Sequence, residues 1–185
     1  HQQKLIKVKP VKNDRQLIIS FALPAIDHFY RHKTESILAY LLGYEGVGSI
    51  LSQLKQKQWA LGITAGSGIN GSNFKDFNIN IALTALGEQY IDNIIEHCFA
   101  YIRIIQAGLP LPLHYYQDKQ SINALSFQYY EKLKPLDSTS QLVINMQHYP
   151  EQDYIYGDYA MDGLCANTLE QMLVLFTPEN MRVTH

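Results

Sequence analysis

The chain has 185 residues, 46% of them hydrophobic and 11% aromatic, with 15 basic and 17 acidic side chains and a formal net charge of -2. That composition can bury roughly 70% of the unfolded surface in a core, and it excludes a disordered, collagen-like or disulfide-scaffold chain. Charge of both signs is thinly scattered and no apolar run reaches the roughly eighteen residues of a membrane span, so neither nucleic acid nor membrane is expected as a partner.

In chain order, residues 4–10 alternate apolar and basic side chains, and Gln16-Leu-Ile-Ile-Ser-Phe-Ala22 is strongly β-prone before Pro24. Two early strands are expected. Thr34 is placed to cap a helix over 35–42, with Glu35 against the positive end of its dipole. The run Gly43-Tyr-Glu-Gly-Val-Gly48 should interrupt it, and Ser49 should restart it with Ile50, Leu51 and Leu54 as one buried stripe before Lys55-Gln-Lys-Gln58 reaches solvent. From Trp59 the period becomes two. Phe77, Ile79, Ile81 and Leu83 share one face of a strand, and Asp76, Asn78 and Asn80 the other. Residues 59–65 should pair with that strand as a hairpin whose turn is Gly66-Ser-Gly-Ile-Asn-Gly71, Asn-Gly being a favoured turn dipeptide.

Thr84 is expected to cap a long amphipathic helix carrying Ile91, Ile94, Ile95, Cys98, Phe99, Ile102 and Ile105 on one face, ended by Gly108 ahead of Pro110 and Pro112. Further helices are expected over 114–132 and 138–149, the second closed by Pro150. A last one, capped by Asn167 or Thr168, carries Leu169, Met172, Leu173 and Leu175, and Thr177-Pro-Glu-Asn180 then turns into a terminal strand. No βαβ alternation persists. The expected class is α+β, a two-layer sandwich of a mostly antiparallel sheet covered on one face by helices. The start at His1 without a Met, and a strand-like run up to His185, lead to the expectation of a piece of a longer polypeptide.

No local motif completes a catalytic site. Gly66-Ser-Gly-Ile-Asn-Gly71 has G-x-G-x-x-G spacing, but a strand follows it where a dinucleotide site needs a helix N-terminus. His28-Phe-Tyr-Arg-His32 sets two imidazoles four apart and could begin a zinc site with Glu35 as a third ligand, yet Arg31 stands where a zinc peptidase needs a carboxylate base, and the segment between Pro24 and Thr34 is expected as loop. Cys98 and Cys165 could form at most one bridge, and Cys98 falls on an apolar helix face where thiols are inert. The thirteen tyrosines, including Tyr129-Tyr130, read as core and rim packing. No metal and no cofactor is expected in the chain.

Several segments together carry a resemblance. The run Ala39-Tyr-Leu-Leu-Gly-Tyr-Glu-Gly-Val-Gly-Ser-Ile-Leu-Ser-Gln-Leu-Lys55, then Trp59 and Thr64-Ala-Gly66, resembles the second domain of the insulysin and pitrilysin family, the insulinase-type inverzincin zinc peptidases. Leu83-Thr-Ala-Leu-Gly87, Phe127 with residues 129–135, His148-Tyr-Pro150 and Leu175-Phe-Thr-Pro-Glu-Asn-Met-Arg-Val183 are similar to it too, collinear from about Lys4 to the end.

The resemblance implies a single non-catalytic insulinase-like domain over 1–185 within a multi-domain zinc metalloendopeptidase. Its H-x-x-E-H motif and zinc would lie in the parent's first domain, and a bacterial periplasm or cytoplasm would suit it. The implied role is to shape a chamber and bind peptide substrates alongside the other domains of the same chain. A remote site would be built from Tyr40, Gly43, Tyr44, Glu45 and Gly46 of the Gly-rich break and Ile63, Thr64, Ala65 and Gly66 of the hairpin strand. The sequence departs from the family pattern in Tyr40 and Tyr44, where histidines often stand, and in Ala65 for a glycine. Edge pairing with an extended peptide needs only backbone, and Glu45 offers a carboxylate to a peptide amino group. The other expectation, from a different class, is a degenerate scaffold or partner-binding domain of this fold in a parent without peptidase activity.

Overall fold

A computed structural model describes residues 4–9, 14–71, 73–108 and 113–185. Its contacts gather into two compact units. The first holds the sheet and the helices α1 (from Glu35 on), α2, α3 and α6; the second holds Ile26–Thr34 with α4, α5 and the chain down to Cys165. The elements are β1 (Lys4–Ile6), β2 (Gln16–Pro24), α1 (Thr34–Gly43), α2 (Ile50–Gln56), β3 (Ala60–Asn70), β4 (Phe74–Leu83), α3 (Ile91–Gln106), α4 (Leu113–Gln128), α5 (Pro135–His148), α6 (Ala166–Leu173) and β5 (Met181–Thr184). The mixed α+β class holds. The ends expected at Pro10, Pro110 and Pro112 lie outside the described residues.

The sheet runs β1-β5-β2-β4-β3, antiparallel except where β1 lies parallel to β5. Period-two side chains divide its faces. Leu17, Ile19 and Phe21 of β2 and Phe77, Ile79 and Ile81 of β4 are fully buried on one side. Each such residue contributes about 1.5–3 kcal/mol of apolar burial. Against that face stand α3, whose Phe99 meets Phe21 edge-on at 6.0 Å, and Phe176, 4.6 Å from Phe21 between ring centres. On the other face the hydroxyl of Ser20 donates to Asn78 Oδ1 at 2.5 Å, and Asn80 Nδ2 donates to Thr64 Oγ1 at 3.4 Å.

Three local expectations are corrected. The glycine-rich run 66–71 is strand down to Asn70: Gly66 pairs with Asn78, Ser67 with Phe77 and Asn70 with Lys75, the extra β3 residue being absorbed as a bulge. Cross-strand pairing keeps the segment extended past its glycines, and the reversal lies between Asn70 and Phe74. Second, Thr84 does not start the long helix. Its Oγ1 accepts from Gly87 N at 2.9 Å, a 3-10 turn occupies Gly87–Gln89, and α3 begins only at Ile91. Gly87 is required there, because a Cβ would fall 1.9 Å from the carbonyl oxygen of Trp59. Third, α6 already begins at Ala166, ahead of Asn167 and Thr168, and stops before Leu175.

Within the second unit, Ile26–Thr34 is tied to the chain that follows α5. Arg31 Nη2 donates to Asp153 Oδ1 at 2.7 Å and Arg31 Nη1 to Asp162 Oδ2 at 2.7 Å, while Tyr30 Oη donates to Asp153. His32 Nδ1 lies 3.0 Å from the Gly163 carbonyl oxygen, and Lys33 Nζ donates to the Gly157 carbonyl at 3.1 Å. Tyr129 and Tyr130, read as packing residues, are 72% and 50% exposed. Tyr129 closes the last turn of α4 with its backbone N–H on Leu125.

Candidate functional site: the break after α1 and the β3 edge

α1 stops where the sequence predicts, at Gly43, and α2 restarts on Ser49, whose Oγ accepts from Ser52 N at 3.1 Å. Between them lies a segment with glycines at 43, 46 and 48. A Cβ built on Gly43 would sit 3.3 Å from the backbone nitrogen of Ala65 and 3.5 Å from its Cβ. Only a residue without a side chain lets the end of α1 come this close to β3 unstrained. The structure thus brings Gly43 and Ala65 together across 22 positions of sequence.

Around them, Tyr40 and Tyr44 face each other with ring centres 5.6 Å apart, and the Tyr44 ring folds over Gly46, whose Cβ would overlap its hydroxyl. Tyr101 of α3 joins this cluster: burial, then the neighbouring Tyr40 and Tyr44, raise its pKa above the ordinary phenol value. Tyrosines there supply stacking surface and hydroxyls. Glu45 is exposed.

β3 is the last strand of the sheet, so among the described residues no strand pairs with its outer side. Its inner side is committed to β4, with Ile63 opposite Ile81, Thr64 opposite Asn80, Ala65 opposite Ile79 and Gly66 opposite Asn78. Alternate residues of such an edge present N–H and C=O outward. Ile63 is buried at 3% exposure, whereas Thr64 is exposed. Ala65 and Gly66 are half-buried, with side chains small enough for a second backbone to approach.

The residues present do not fit a zinc site. Among the described residues, no group of three His, Cys, Asp or Glu side chains gathers as metal ligands. His28 stacks on Phe29 at 3.8 Å, His32 turns to the Gly163 carbonyl, and Arg31 is tied to Asp153 and Asp162. That arginine cluster was missed in the sequence, and the only hint of it is an Arg in an otherwise aromatic and imidazole segment. Cys98 is 1% exposed, and burial pushes its thiol up to about 12.

Comparison with known proteins adds relatives. The peptidase M16 inactive domain matches residues 1–112, and the middle or third domain of peptidase M16 matches residues 127–185. Human insulin-degrading enzyme is 31% identical over 183 residues, covering 99% of this chain and 18% of the human one. A nardilysin-like protein of Arabidopsis thaliana is 34% identical over 184 residues, covering 97% and 18%. The chain therefore spans about a fifth of the length of these curated relatives. Among solved structures, that of pitrilysin superposes with a TM-score of 0.86 at 22% identity, over 100% of this chain and 20% of that one, a likeness of fold.

Proposed function

The chain belongs to the peptidase M16 family, the insulinase-type zinc metallopeptidases, and we propose that it acts there as a non-catalytic part that holds peptide substrates. The observation that carries this reading is the free edge of β3 beside the glycine break: an extended peptide can add as a further strand along Ile63, Thr64, Ala65 and Gly66. Backbone hydrogen bonds supply affinity with little regard to sequence, Tyr40 and Tyr44 offer ring surface, and Glu45 offers a carboxylate to a peptide amino terminus.

Amide hydrolysis by a metallopeptidase needs a metal-activated water and a general base. In this proposal both come from another, first domain of a longer zinc metalloendopeptidase. The partners of the chain are then peptide substrates and the other domains of its own parent. Positioning alone leaves the barrier to amide cleavage almost untouched.

Amide-shift mapping of the 185-residue chain with an unstructured peptide tests the reading. Shifts should cluster at Ile63–Gly66 and Gly43–Gly46, with weak affinity because ordering a flexible peptide is costly. Ala65→Pro should abolish them, since proline removes an N–H and obstructs a pairing strand. Shifts confined to α4 with β3 silent, or chelator-sensitive cleavage of a fluorogenic peptide by the isolated chain, would overturn the assignment.

A further inference from the structure

In the second unit a cavity of about 400 Å³ opens beside α5. Phe127, Tyr130, Tyr154 and Tyr159 line it with rings, and among the described residues Asp158 is the only charged side chain in its wall. The rings hold one another in place: Phe127 lies 5.4 Å from Tyr159, and Tyr130 meets Tyr159 edge-on at 6.3 Å. Asp158 is fixed by neutral donors, with Tyr149 Oη on Oδ1 at 2.9 Å and Asn145 Nδ2 and Gln141 Nε2 on Oδ2 at 3.1 and 3.3 Å. Three dipoles orient the carboxylate but leave its charge uncancelled, and no salt bridge reaches it among the described residues.

An oriented carboxylate without a cation, at the wall of a cavity lined by four aromatic residues, has the chemistry of a cation receptor. The ring faces carry negative potential, the carboxylate supplies the full charge, and the aliphatic part of a long side chain packs against the aromatic wall. We propose that this cavity binds the basic head of an arginine or lysine side chain presented by a peptide. The cavity lies in the second unit and β3 in the first, so the proposal stands independently of strand addition at β3.

The experiment is an amide-shift titration of the 185-residue chain with N-acetyl-arginine methylamide, against the citrulline analogue of the same shape and no charge. Saturable millimolar binding with shifts at Tyr130, Tyr154, Asp158 and Tyr159 is expected for arginine, and none for citrulline. Asp158→Asn should weaken binding about tenfold by removing the charge, and Tyr130→Leu by a similar factor, while Tyr130→Phe binds as the parent does. Asp158 also anchors α5, so if Asp158→Asn unfolds, Tyr130→Leu decides, because the Tyr130 ring is half exposed. No binding, an equal response to citrulline, shifts away from the cavity, or arginine binding that survives Tyr130→Leu would overturn the proposal.

Discussion

Gly43 and Ala65 meet so closely that a methyl group on the first would stand 3.3 Å from the backbone nitrogen of the second. The contact joins the end of α1 to β3, and the atom that would have to give is backbone. Gly43→Val should therefore destabilise the chain by about 1–3 kcal/mol, as overpacked sites do. It should also weaken peptide-induced shifts along Ile63–Gly66. Urea unfolding and the same titration read the two effects, and a variant as stable as the parent with full peptide response would show that the close approach is not needed.

Ser49 begins α2 by accepting from Ser52 N with its hydroxyl, and its side chain is buried at 1% exposure. Ser49→Ala leaves that amide without its partner at a site closed to water. The expected loss is about 1 kcal/mol, within the range for N-cap deletions. Ser49→Asp, which keeps an acceptor, should lose less. Equal midpoints for Ala and Asp variants in denaturant would contradict the capping role.

Much of this architecture was legible because its signals are local. Strict alternation from Phe77 to Leu83 put β4 and its buried face on the page, and the spacing of Ile94, Cys98, Phe99, Ile102 and Ile105 did the same for α3. The glycines of 66–71 misled, since they signal a turn whereas pairing with Asn78, Phe77 and Lys75 holds the run in the sheet. α4 gave no such stripe, and its Ile122 and Leu125 are 60% and 54% exposed. The Arg31–Asp153 pair spans 122 positions, and the rings around Asp158 come from segments before and after α5, so neither has a local pattern to read. Gly43, Ala65 and their neighbours enter as a candidate site only through the family resemblance, because an edge strand carries no side-chain signature of its own.

The two cysteines should react differently. Cys98 is 1% exposed with its thiol pushed up to about 12, so it has almost no thiolate at pH 8, while Cys165 is half-buried. A thiol-reactive dye should modify one cysteine in the native chain, found at Cys165 by peptide mapping, and both in denaturant. Rapid native labelling of Cys98 would mean that α3 opens more readily than its buried face implies.

Asp153 and Asp162 both pair with Arg31, but the Asp153 side chain is 5% exposed and that of Asp162 is 48% exposed. Arg31 is itself 35% exposed, so the difference lies in the carboxylates: losing the buried one that also holds Tyr30 costs more than losing the exposed one. Asp153→Ala should therefore lower the melting temperature much more than Asp162→Ala. The pH dependence follows from the same geometry: the hydrogen bond from Tyr30, then those from Arg31, hold the Asp153 carboxyl below its ordinary value of 3.8. The folded chain binds this proton less readily than the unfolded one, so the contribution is complete above 3.8 and fades as pH falls through the depressed folded value. Tyr30 works at the other end. Burial and the Asp153 carboxylate raise its pKa above 10.0, so its contribution is complete below that value and fades as pH rises through the raised one. Urea midpoints measured from acid to alkaline pH should show a steep acid limb in the parent and a flatter, lower curve in Asp153→Asn, the two converging at the acid end. Parallel curves, or an Asp162→Ala variant as damaged as Asp153→Ala, would place the pH sensitivity on other carboxylates.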